Sequence, residues 1–192
     1  MFSSNDLVLI RHAAADTAGR LCGRRDVGLA EGTATDLSKL AKLLPEVAEV
    51  RVSPALRCRL TASALWPGAA QVADERLWEQ DFGAWDGKSY AELPDLGDLS
   101  REDLAAHTPP AGESFLDLLD RATPALVEAA EAARKAGPVV IVAHAGIARA
   151  GLSLALGAPS VGLGFEVDPL SLTRIGCFEA GYSVRAVNWR PA

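Results

Sequence analysis

Two kinds of apolar pattern alternate along the chain. Short unbroken runs, DLVLI at 6–10 and VVIVA at 139–143, have the form of strands covered on both faces. Helical spacing fills the intervals. Leu37, Leu40, Ala41 and Leu44 mark one helix face, with Thr33 placed to cap it, and Leu56, Arg57 and Leu60 lie in a second helix that Pro67 ends. Phe115, Leu118, Leu119, Ala122, Leu126 and Ala129 mark a long amphipathic helix that Pro124 is expected to bend. EVRV at 49–52 predicts a further strand, and Ser53-Pro54 after it has the cap-then-proline form of a helix start. Towards the end GFEVD, SLTRIGCFE and YSVRAVNW read as strands, the last two joined by a hairpin at Ala180-Gly181.

Strands alternating with helices predict an α/β three-layer sandwich, with a mostly parallel central sheet and helices on both faces. Residues 81–113 are rich in Gly, Pro and Asp and hold no sustained period. The chain therefore reads as a single domain over 1–192, with a loop or lid excursion at about 86–113. At 192 residues it is long enough to bury a substantial core.

Charge and cysteine content narrow the function. A formal charge of -6 disfavours sequence-independent nucleic-acid binding, which needs a basic surface. Any anionic ligand must then be met by a local cluster of Arg and His. No apolar run approaches the roughly 18 residues of a membrane helix, and MFSSNDLVLIRH lacks the basic start and small-residue cleavage site of a leader. A cytoplasmic protein with no membrane and no nucleic-acid partner is expected. The three cysteines, Cys22, Cys58 and Cys177, are too widely spaced for a metal pair and read as neutral thiols.

Both apolar runs deliver a histidine: Arg11-His12 follows the first and His144 the second. In an open α/β sheet, ligands bind at the carboxyl ends of the strands. Arg57, one turn into a helix that follows a strand, can return over the same edge, and its planar fork suits a phosphate. Taken alone it reads as a solvated charge. Glu79, beside Trp78 and Phe82 in RLWEQDFG, sits in a partly desolvated setting that suits a general acid, although alone it reads equally as an exposed glutamate. His107, in AAHTPP, reads as a surface histidine, and Arg24 and Arg25 stand open between reaching a substrate's far end and facing solvent.

The segments LVLIRHAAAD, VSPALRCRLTASAL, LWEQDFGAWDGKSY, PPAGESF and VIVAHAGIARA, in this order over residues 7–150, resemble the signature segments of the histidine phosphatase superfamily, of phosphoglycerate mutase-like fold. The resemblance implies a histidine acid-type phosphatase that hydrolyses a small phosphomonoester through a phosphohistidine. It makes His12 the nucleophile, Glu79 the proton donor and later base, and Arg11, Arg57 and a protonated His144 the phosphate pocket. No metal and no cofactor are implied, and a homodimer is open. The family's usual Arg-His-Gly-Glu reads Arg-His-Ala-Ala here, and Ala18 replaces an Asn, which leaves substrate choice unsettled.

Two other readings stay in view. Phosphoglycerate mutase-type transfer is disfavoured because His144 is followed by Ala145-Gly146 rather than Asn-Ser. A non-catalytic phosphate-binding module on the same fold is disfavoured by the presence of all five candidate residues. GAWDGKS imitates a phosphate-binding loop but has three residues between its glycines instead of four. GRLCGRRDVGL is similar to the matching stretch of α-ribazole phosphatases, which makes α-ribazole 5'-phosphate one candidate substrate among others.

Overall fold

In a computed structural model, which describes residues 2–191, β1 (Asp6–Arg11) and β4 (Val139–Ala143) lie side by side at the centre of a six-stranded sheet. The other strands are β2 (Glu49–Val52), β3 (Ala70–Ala73), β5 (Leu172–Phe178) and β6 (Gly181–Trp189), in the order β3-β2-β4-β1-β5-β6. The pairs β3/β2, β2/β4 and β4/β1 are parallel, whereas β5 and β6 join antiparallel at one edge. Three of the five pairings are parallel, so the sheet is mostly parallel as expected, with an antiparallel edge.

Alternation along β1 divides the core. Leu7 and Leu9 point into the layer built by α4 (Phe115–Ala136) and α5 (Ala145–Leu156). Val8 and Ile10 point into the opposite layer, built by α1 (Ala34–Ala41) and α2 (Leu56–Leu65). All four side chains are buried, which explains the unbroken apolar run: both faces of the strand are covered. Ser114 opens α4 through a reciprocal cap, accepting from Asp117 N at 3.1 Å while its own N–H donates to the Asp117 carboxylate at 2.8 Å. The helix continues through Pro124.

Several expectations need correction. GFEVD is not a strand: a 3-10 turn at Val161–Gly164 leads into extended chain across the sheet end, where the Val167 carbonyl accepts from Arg11. The hairpin loop falls one residue earlier than expected, on Glu179-Ala180, with Gly181 opening β6 at φ +132°. The second helix begins at Leu56 rather than at Ser53-Pro54, because Ala55 has a non-helical backbone, φ -53° and ψ 134°. Thr33 precedes α1, but its hydroxyl donates to Ala30 O instead of capping the helix. Sequence pattern also misses β3, a four-residue edge strand, and α3 (Arg101–Ala106), which forms inside the excursion with Ser100 as its cap.

The excursion is fastened at both ends. Leu21 and the 87–88 backbone exchange hydrogen bonds at 2.8 Å, while Ala84 N donates to Pro110 O and Glu113 N to Asp81 O at the same distance. No helix among the described residues is long and apolar enough to cross a membrane.

Candidate functional site

The register of the central strands assembles the site. β1 and β4 are parallel with Arg11 opposite Ala143, so the next residue of each strand, His12 and His144, emerges at the same edge. Their rings meet edge to face with centroids 5.2 Å apart. β2 pairs with β4 through Val52 and Val142, which brings Ser53 alongside. Ser53 Oγ lies 2.8 Å from His144 Nε2.

Hydrogen-bond partners fix the tautomer of each ring. His12 Nδ1 is 2.7 Å from the carbonyl oxygen of Ala13, which can only accept, so Nδ1 carries the proton and Nε2 keeps a free lone pair. His144 Nδ1 lies 3.3 Å from Arg57 Nη2, which can only donate. Its proton is therefore on Nε2, donated to Ser53. Burial holds both rings neutral: His12 is pushed down to about 3, and His144 well below the ordinary histidine range, with Arg57 and Arg11 adding repulsion.

Arg57 is fully buried, an unusual place for a guanidinium. Two backbone carbonyls hold it: Nη1 donates to Arg25 O at 2.9 Å and Nη2 to Gly23 O at 2.8 Å. Thr61 ties its helix to the His12 loop, accepting from Ala13 N at 3.0 Å and donating to Arg57 O at 2.7 Å. Arg11 is anchored by Nη1 on Val167 O at 2.6 Å, while its Nε is buried without a partner among the described residues. A desolvated, unpaired guanidinium N–H suits an anion.

Glu79 reaches the same edge. Its carboxylate accepts from Gly146 N in the first turn of α5, at 3.2 and 3.3 Å, and from Gln80 N at 3.0 Å. Its charge opposes the downward pull that burial exerts on Arg11. Gly146 makes room for this contact, because a Cβ there would overlap Glu79 Oε1 and crowd Leu118. Arg121 of α4 fixes the backbone that carries Glu79, donating to Arg76 O at 2.8 Å and Trp78 O at 3.1 Å. The neighbouring acids are committed: Asp81 accepts from Gly83 N at 2.8 Å, and Glu113 accepts from Asp81 N at 3.0 Å and pairs with Arg121.

All five residues singled out from the sequence thus converge. Arg24 lies over the Trp78 ring at 5.7 Å, and the Trp78 indole stacks on His144. Arg25 contributes its carbonyl to Arg57. His107 is not a plain surface histidine: its ring stacks on Trp85 and its Nε2 is buried without a partner among the described residues. Cys58 and Cys177 are buried and burial pushes both thiols up, as expected of neutral groups, with Cys58 Sγ 3.6 Å from His144 Nε2. Sequence reasoning missed Ser53 as a partner of His144, and Arg121 as a brace. Strand order and loop packing assign these roles, and neither leaves a local signal. Among the described residues no group of three or more His, Cys, Asp or Glu side chains converges as a metal site would require.

Comparison with known proteins adds an independent finding. The profile of the histidine phosphatase superfamily (branch 1) matches residues 7–190. A glucosyl-3-phosphoglycerate phosphatase of Mycolicibacterium vanbaalenii is 33% identical over 171 residues, covering 80% of this chain and 75% of that protein. An Arabidopsis thaliana 6-phosphofructo-2-kinase/fructose-2,6-bisphosphatase is 28% identical over 156 residues, 75% of this chain but only 20% of that protein. The chain spans about a third or less of the length of several of the curated relatives it matches. Among solved structures, the alpha-ribazole phosphatase from Shigella flexneri superposes with a TM-score of 0.80 at 22% identity over 96% of each chain, a likeness of fold.

Proposed function

The chain belongs to the histidine phosphatase superfamily, and from that membership we propose that it is a phosphomonoesterase acting on a small phosphorylated metabolite through a phosphohistidine at His12. The observation that carries this reading is the tautomer of His12. Its proton is committed to Ala13 O, so Nε2 is left with a neutral lone pair, with Arg57, Arg11 and the His144 ring close to it.

In the first displacement His12 Nε2 attacks phosphorus and the ester P–O bond breaks. Glu79 gives its proton to the departing alkoxide. In the second, water attacks phosphorus, the N–P bond breaks, and Glu79 takes the proton released from water. Inorganic phosphate then leaves. Arg11 and Arg57 neutralise the equatorial oxygens of a loose, in-line transition state, with Arg11 Nε supplying an N–H that no group among the described residues uses. His144 enters as a neutral imidazole; a proton arriving with the phosphate would put an N–H on both ring nitrogens and let Nδ1 donate to the anion.

The reading is tested by a screen of phosphomonoesters under exhaustive chelation, with phosphate release as the readout. The panel sets glucosyl-3-phosphoglycerate and other phosphoglycerates, sugar phosphates, nucleotides and α-ribazole phosphate side by side. Phosphate release from at least one ester without added metal is expected. Activity that returns only with Mg²⁺ or Zn²⁺ contradicts the pocket described, and binding of phosphate with no turnover of any ester would favour a non-catalytic module.

A further inference from the structure

Asp86 lies in the excursion, outside the five residues given roles above, yet it holds the turn that holds Arg57. Three consecutive backbone N–H groups converge on its carboxylate: Gly23 at 3.1 Å, Arg24 at 2.8 Å and Arg25 at 3.0 Å. The carbonyls of that same turn face the other way, Gly23 O accepting from Arg57 Nη2 at 2.8 Å and Arg25 O from Nη1 at 2.9 Å. One peptide group serves both sides. The Arg24 N–H and the Gly23 C=O belong to a single amide, so a chain of contacts runs from Asp86 through that amide to Arg57 Nη2 and on to His144 Nδ1 at 3.3 Å.

From this geometry we propose that Asp86 is a positioning residue for Arg57, acting through the 23–25 turn and setting the strength with which the site holds a phosphoryl group. Bonds to a carboxylate are charge-assisted, and a polarised amide presents a stronger acceptor at its carbonyl. The turn has little freedom to relax. A Cβ on Gly23 would overlap Gln80 O and crowd the Phe82 ring, so the turn sits hard against the segment that carries Glu79. The carboxylate accordingly fixes a guanidinium fork whose alignment with phosphate is geometric as well as electrostatic.

The proposal rests on the phosphatase reading for its consequence in turnover, but affinity for inorganic phosphate tests it without turnover. Asp86→Asn keeps the shape of the side chain while removing its charge and turning an amide donor towards backbone donors. The Leu21 bonds to the 87–88 backbone remain and hold the loop in place. By calorimetry with inorganic phosphate, the variant should bind roughly 10- to 100-fold more weakly, the range for hydrogen bonds to charged groups. Where an ester is turned over, kcat/KM should fall by about 10²-fold, as expected for a misplaced transition-state contact, with a substantial share in kcat.

The discriminating step is a double-mutant cycle with Arg57→Lys. In that background Asp86→Asn should weaken phosphate binding less than about twofold further, since the fork it aligned is gone. Thermal melts of all four proteins accompany the cycle. Phosphate affinity of Asp86→Asn within twofold of wild type overturns the proposal. So does an equal loss in the presence and absence of Arg57, which would mean that Asp86 acts by general stability or on another group. A wild-type protein that binds phosphate but cleaves no ester would count against the phosphatase reading, while the affinity cycle would still decide the role of Asp86.

Discussion

Burial holds His12 and His144 in the state a nucleophile needs, at a cost to the folded protein in acid. In the unfolded chain an imidazole titrates near 6.5, whereas folded His12 titrates at about 3 and His144 well below its ordinary value. Between those limits the unfolded chain binds protons that the folded chain does not. Stability is therefore complete above about pH 6.5 and declines as pH falls towards 3, by up to about 1.4 kcal/mol per pH unit for each histidine. Thermal midpoints measured from pH 7 to 4 should fall, and His12→Gln should flatten part of that fall. An unchanged slope would mean that His12 is not neutral in the folded state. For Glu79 the expected effect depends on the leaving group. Glu79→Gln should slow single-turnover phosphorylation by alkyl phosphates by roughly 10²- to 10⁴-fold, with a much smaller loss for nitrophenyl phosphate, whose leaving group needs no proton. Equal, wild-type rates with both substrates would remove Glu79 as the acid. Asp81 would then be tested next, whereas Glu113 is a poor replacement because its carboxylate is paired with Arg121.

At the scale of the element, parallel pairing of β1 with β4 turns two sequence-distant histidines into neighbours. Each histidine was legible alone, as the polar residue that ends an apolar strand. Their adjacency was not, because the order β3-β2-β4-β1 is a long-range property that no local pattern encodes. Arg57 was legible as a helix residue one turn beyond a strand, whereas its complete burial against the carbonyls of residues 23 and 25 depends on a loop without periodicity. The failures share a cause. GFEVD alternates like a strand but finds no ladder partner, and β3 is too short and too exposed to declare itself. Gly146 shows how an element constrains the chemistry. Alanine there favours the helix by propensity but would push against Glu79 Oε1 and Leu118. Gly146→Ala should leave the far-ultraviolet spectrum intact and lower turnover of alkyl phosphates by at least about tenfold, in line with a displaced general acid. Full activity would show that Glu79 has room to move and that its contact with α5 is incidental.

Over the whole molecule, an acidic chain of net charge -6 places a buried guanidinium, Arg57, and a part-buried one, Arg11, at one sheet edge. The two layers of core hold β1 and β4 rigid, and the excursion over residues 81–113 reaches back through Asp86, Glu113 and the 110–113 backbone to brace the site from outside the sheet. The fold class could be read from sequence, and the five candidate residues could be singled out there, because they lie at strand ends and in a recognisable order of segments. The braces could not, since Asp86 and Arg121 look like ordinary surface charges until the loops are placed. The central claim is that this assembly makes one nitrogen of one histidine a transient phosphoryl carrier. It is tested most directly by rapid quenching during turnover into alkali, followed by the intact mass of the chain and peptide mapping. The account predicts a protein heavier by one phosphoryl group, with the label on His12, stable in alkali, labile in acid and absent from His12→Ala. Label retained by His12→Ala together with undiminished turnover would contradict it.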